Sequence, residues 1–161
     1  MRAIRLAIVV ASIVALVGSG PVAGGDARPM TGRFSATVVG VAQRCGTDAL
    51  TIGFDISGVA SHLGKLAGTG SNCTELSLTT SAVAIWDGEA TLTAADGSTI
   101  TTVASGTQEA PVQGIATFDI THTVTGGTGR FAEASGVWSL SGTISFLTGE
   151  VNGTVAGWLS Y

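Results

Sequence analysis

Positive charge is scarce in this chain and nowhere gathered. Of 161 residues seven are Lys or Arg, against eleven Asp or Glu, and no basic cluster occurs. A chain of that sign repels phosphate backbones and anionic bilayer surfaces, so nucleic acid is excluded as a partner. Histidine is rarer still. The two present, His62 and His122, form no His-x-x-x-His pair, and neither cysteine has a second ligand at metal spacing, so no metal is expected. No G-x-S-x-G elbow marks a nucleophilic serine.

Long hydrophobic runs are also missing, with one exception at the start. Arg2 and Arg5 precede an apolar stretch, Leu6 to Val17, that ends at Gly18-Ser19-Gly20-Pro21. It falls short of the ~18 residues a spanning helix requires, and has the layout of a signal peptide. Residues 1–24 are read as that peptide, with small residues allowing cleavage after Gly24, Gly25 or Ala27. No cysteine follows to carry a lipid, so the mature protein is expected to be secreted or periplasmic, with no stable membrane span. Residues 25–161 make one domain, with five basic and eleven acidic residues. Cys45 and Cys73 would meet an oxidising compartment, where a single disulfide is expected.

What the chain does have is Gly, Thr, Ser, Ala and Val in segments that alternate with period two. Phe34, Ala36 and Val38 share one face of the first segment, and Ile52, Phe54 and Ile56 one face of the next. Ala84, Trp86, Ala90, Leu92 and Ala94 read as one face of a later strand. Ala116, Phe118, Ile120, His122 and Val124 alternate with Thr117, Asp119, Thr121 and Thr123, as in a half-buried strand. Trp138, Leu140, Ile144 and Phe146 repeat the scheme before a last strand from Val151. Asp96-Gly97 suits a two-residue hairpin turn, and Leu147 to Glu150 predicts another hairpin. Gly53, Gly58, Gly68 and Gly142 are read as bulges or bends. Only Gly129 to Ser135 suits a helical turn.

About eight such segments with short connections predict an all-β, antiparallel, eight-stranded closed barrel, with a β-sandwich as the alternative. Closure removes exposed edges and favours the barrel.

Two phosphate-binding patterns fail on inspection, so no cofactor is expected. Gly127 to Ala132 spells G-x-G-x-x-A, but the next alternating segment arrives too soon for the helix a dinucleotide site requires. Gly58 to Lys65 misses phosphate-loop spacing by one residue, and Leu66 stands where Ser or Thr must bind magnesium. His122 and His62 remain as catalytic candidates, set against the plainer reading of His122 as a satisfied core histidine. Trp86, Phe118 and Trp138, with Trp158 beside them, are candidates for lining a ligand cavity, or serve as core. Asp55 and Asp119 fall on the solvent faces. Asn72 and Asn152 begin glycosylation triplets.

The run Gly126-Gly127-Thr128-Gly129-Arg130-Phe131-Ala132-Glu133-Ala134-Ser135-Gly136 resembles the G-G-T-G-(R/K)-F-x-x-A-x-G stretch of dirigent proteins and the related allene oxide cyclase-like barrels. The segment Ala60 to Lys65 resembles exported bacterial members of that superfamily. The resemblance implies an eight-stranded barrel, often a homotrimer, whose lumen in the plant enzymes steers a reactive intermediate. It also implies an architectural role for Gly126, Gly127, Gly129, Arg130, Phe131 and Gly136, with Phe131 plugging the barrel end and Arg130 bonding loop carbonyls. Dirigent sequences commonly read Ala-Arg-Gly where this chain has Ala134-Ser135-Gly136, and no cyclase catalytic residue maps onto a position here.

The resulting expectation is a secreted, non-enzymatic barrel binding a small apolar ligand or an extracellular partner. The alternatives are a cyclase-like or dirigent-like enzyme and a structural surface component. The deciding feature is whether the lumen is open, since a small-molecule site normally requires roughly 300 Å³ or more.

Overall fold

In the computed structural model the described residues are 26–42, 45–46, 48–75 and 82–161. Residues 1–24, read above as a signal peptide, lie outside them. Eight strands follow one another: β1 (Arg28–Ala42), β2 (Ala49–Ala60), β3 (Gly64–Glu75), β4 (Ala82–Ala94), β5 (Thr99–Glu109), β6 (Ile115–Gly127), β7 (Ser135–Ser145) and β8 (Glu150–Ser160). Each pairs antiparallel with its neighbour, and β8 pairs with β1 from Arg28↔Leu159 to Thr37↔Glu150, which closes the barrel. A sandwich is thereby ruled out.

Alternation sets the two faces. On β6 the apolar set Ala116, Phe118, Ile120, His122 and Val124 faces the lumen, and the threonines between are exposed. On β4 the sequence reading breaks. Ile85 pairs with Gly106 and Gly88 with Ala104, so Trp86 and Asp87 together span one step of β5. Asp87 takes a positive φ of 47° in this bulge. The inward set is therefore Val83, Ile85, Gly88, Ala90, Leu92 and Ala94, while Ala84 is exposed and Trp86 half-buried. Phe146 also departs from the expected face. It follows the last residue of β7, is exposed, and donates its N–H to the Gly114 carbonyl at 2.8 Å.

The Asp96-Gly97 turn is one residue longer than the sequence suggested. Ala94 N–H donates to Ser98 O and Gly97 N–H to Ala94 O, which leaves a three-residue loop. Only Gly97, at φ 83°, needs the left-handed region, as in a type I turn followed by a glycine bulge. The strand glycines read as bends work differently: a Cβ on Gly68 would sit 2.0 Å from Thr91 O, so the residue is there because two strands approach too closely for any side chain. Gly53 is the exception, since it pairs with Gly40 at the Val38/Gly40 ladder shift, and the other shifts occur at Ser71/Cys73, Ile85/Gly88 and Thr101/Thr102.

One end is sealed. Met30, Ala60, Leu63, Ala94, Ile100, Phe131 and Leu159 pack there with Trp138 and Val155. Phe131 enters from the 3-10 turn Gly129–Phe131 between β6 and β7 and is 1% exposed. Its ring lies edge-on to Tyr161 at 5.0 Å and under the Arg130 guanidinium at 4.5 Å. Arg130 Nη2 donates to the Leu63 carbonyl at 3.2 Å, and its Nε lies 3.1 Å from Asp96 Oδ2. Three connections are thus tied over the plug. Asp96 is held below the ordinary carboxylate value first by the Ser98 backbone N–H, with its Ser98 side-chain bond and Arg130 adding less. At the other end the Cys45–Cys73 disulfide, spanning 28 residues, joins the β1–β2 connection to β3, worth about 3.5 kcal/mol on the chain-entropy model.

Truncating the plug tests this account. Phe131→Ala should lower the free energy of unfolding in urea by about 3–5 kcal/mol, the usual range for a fully buried phenylalanine. A loss under about 1 kcal/mol would show that Phe131 does not seal a packed end.

Candidate functional site

The lumen is not filled. On β3, β4 and β5 the middle of its wall is small, with Gly70, Gly88, Ala90 and Ala104 set between the larger Leu66, Ile85, Leu92 and Gln108, while Phe34, Phe54, Phe118 and Trp138 enter from β1, β2, β6 and β7. The difference leaves a cavity of about 110 Å³. That is well under the roughly 300 Å³ expected of an ordinary small-molecule site, so an occupant is small or only partly enclosed. Away from the sealed Phe131 end the lining reaches Asn72, Thr74 and Gln108.

Few polar side chains enter this space. Arg33 and Glu89 belong to the lining, but both are exposed, and alternation directs their neighbours Phe34 and Ala90 inward instead. His122, 9% exposed, is the buried ionisable group of the lining. Its Nδ1 lies 2.9 Å from Thr102 Oγ1, and its ring stacks on Trp138 at 6.0 Å and 8°. Burial pushes its pKa down to about 4, so the imidazole is neutral near pH 7. Farther from the Phe131 end Gln108, 7% exposed, makes no side-chain hydrogen bond among the described residues. No fully enclosed side-chain nitrogen or oxygen among those residues lacks a partner, so the free polar atoms of His122 and Gln108 keep contact with the cavity.

His122, Phe118 and Trp138 therefore come together around one space, with Phe118 6.2 Å from Phe34. His62 and Trp86 do not join them. His62 sits in the β2–β3 turn at φ 68°, exposed, its carbonyl accepting from Tyr161 Oη at 3.3 Å. Trp86 lies off the lining at the β4 bulge, and Trp158, 42% exposed, points outward. Asp55 and Asp119 are exposed, the latter accepting a hydrogen bond from Ser141. Asn72 borders the lumen and accepts from Thr74 Oγ1, whereas Asn152 is on the outer face. No group of three or more metal-ligating side chains occurs among the described residues.

Thr102 and Gln108 escaped the sequence reading. Both lie on the inward face of β5 with Ile100, Ala104 and Gly106, a row of mixed polarity that gives only weak alternation. The register Ala104↔His122 is what brings Thr102 beside the histidine.

No family model and no curated protein matches the chain. Solved structures do. The chain is similar to the pterocarpan synthase dirigent protein PsPTS1, at 17% identity and a TM-score of 0.52 over 84% of this chain and 96% of that one. It is similar also to the pterocarpan synthase dirigent protein GePTS1, at 16% identity and a TM-score of 0.51 over 86% and 92%. The fold is that of a dirigent-like eight-stranded barrel.

Burial of neutral His122 makes stability depend on pH. The unfolded histidine titrates near 6.5 and the folded one near 4, so between those values the unfolded chain binds more protons and stability falls as pH drops. From pH 7 to pH 5 wild type should lose about 2 kcal/mol more than His122→Phe, measured by urea unfolding of both proteins. Equal pH dependence would mean that the folded histidine titrates normally.

Proposed function

We propose that this protein is an exported, non-enzymatic barrel that binds a small, mostly apolar molecule in its lumen. The observation that carries the reading is the apolar cavity between the small-residue wall of β3–β5 and the rings of Phe34, Phe118 and Trp138. A largely apolar, aromatic-lined space of this kind gains free energy by taking up apolar surface. The dirigent-like fold supports a binding role, because a closed barrel of eight strands is wide enough for one small ligand. The Cys45–Cys73 disulfide suits an oxidising compartment, and no helix among the described residues is long and apolar enough to cross a membrane.

Two measurements test the reading. The neutral fluorophore N-phenyl-1-naphthylamine should bind saturably, and Ala104→Phe or Ala90→Phe, which fill the cavity, should weaken it at least about tenfold with the far-ultraviolet spectrum unchanged. Unchanged binding in both variants would place the dye outside the lumen and defeat the proposal. Protein recovered from the export compartment should begin at Gly25, Asp26 or Arg28 by N-terminal sequencing. An intact Met1 there would refute processing.

A further inference from the structure

The polar groups inside the lumen narrow the chemistry of what it holds, if the lumen binds a small molecule as proposed above. We infer that the ligand is an uncharged, largely apolar molecule whose buried end carries a hydrogen-bond acceptor, a carbonyl or ether oxygen, received by an Nε2–H of His122 that Thr102 fixes in place.

The argument begins at Thr102. Its side chain is buried at 2% exposure, and its one hydrogen-bond partner among the described residues is His122 Nδ1. A hydroxyl always has a hydrogen to place, and leaving that donor unmet in the interior costs more than leaving an acceptor lone pair idle. Nδ1 is the acceptor within reach. The Thr102 hydroxyl therefore donates to Nδ1, and the single proton of the neutral imidazole sits on Nε2. Trp138, stacked within 8° of parallel, fixes the plane of the ring and so the direction of that N–H. Nε2 has no protein partner among the described residues and retains contact with the cavity.

Charge is excluded by what surrounds this donor. The inward side chains of the lining are apolar, hydroxyl-bearing or, at Asn72 and Gln108, neutral amides, and Arg33 and Glu89, the charged members of the lining, are exposed at outward positions. A carboxylate beside His122 would be buried without a countercharge, and an ammonium would meet a donor rather than an acceptor. A neutral oxygen meets neither difficulty. Gln108 supplies a second polar point farther from the Phe131 end, four residues beyond Ala104 on β5 and so about 13 Å away along the strand. Its carboxamide both donates and accepts, and favours no sign of charge.

The test uses three molecules on one carbon skeleton, tetralin, 1-tetralone and 1,2,3,4-tetrahydro-1-naphthoate, each displacing N-phenyl-1-naphthylamine from the full-length mature protein at pH 7. His122→Phe should weaken 1-tetralone by about three- to tenfold relative to its effect on tetralin, the worth of one neutral hydrogen bond. The carboxylate should bind wild type at least about tenfold more weakly than the ketone. Equal effects of the substitution on ketone and hydrocarbon, or a carboxylate as tight as the ketone, would overturn the inference while leaving the lumen reading intact. Failure of all three to displace the dye would overturn the lumen reading, and the inference with it. Imidazole ¹⁵N spectra should show one Nε2–H tautomer in wild type and a mixture in Thr102→Val. An Nδ1–H tautomer in wild type would sink the inference without any ligand.

Discussion

The structure depends on β8 returning to β1. Ten residue pairs, from Arg28↔Leu159 to Thr37↔Glu150, satisfy backbone donors and acceptors that an open sheet would present on two long edges. Once the ring is closed, every side chain is committed either to the lumen or to solvent, and a slip of one residue would exchange the two sets on that strand. That is why hydroxyl-bearing and apolar residues can be shared so evenly along each strand without exposing a continuous apolar face. Closure with eight strands also fixes the bore at a width that side chains can just fill or that can just hold one small molecule.

Which of those outcomes occurs is decided by side-chain size around the ring. The strands opposite β3, β4 and β5 across the barrel are β7, β8 and β1, and from that side and its flanks come Trp138, Phe34, Phe118 and Phe54. Facing them are Gly70, Gly88, Ala90 and Ala104, which are too small to meet them. The cavity is thus the consequence of unequal walls. The inward glycines that make β3–β5 small also let neighbouring backbones crowd, as at Gly68 against Thr91 O, so the same residue choice shapes the sheet and empties its interior.

This division explains what the sequence could reveal. On β2, β6 and the body of β7 the period-two pattern is unbroken, and the faces expected for Ile52, Phe54 and Ile56, for His122 with its neighbours, and for Trp138, Leu140 and Ile144 are those found. On β4 one extra residue put Ala84 and Trp86 off the face that Ala90, Leu92 and Ala94 do share, because a bulge leaves no mark on composition when the residues around it are Asp and Gly. Phe146 continued a pattern past the end of β7, where turn geometry overrides alternation. The partnership of Thr102 with His122 was illegible for another reason. It is a contact between strands, fixed by register, and no single-strand pattern contains it.

Register also determines what the histidine can do. Held near a pKa of about 4, His122 is protonated in roughly one molecule in a thousand at pH 7, and as a base it is far weaker than one poised near neutrality. Proton transfer is poorly served by such a group. Directional hydrogen bonding is served well, since the ring is neutral, stacked on Trp138 and anchored through Nδ1. Burial also strengthens a hydrogen bond made there, because a low-dielectric lumen raises its electrostatic worth. On the proposed reading, the barrel selects its contents by shape and by the placement of one polar atom, and the histidine acts by where it points.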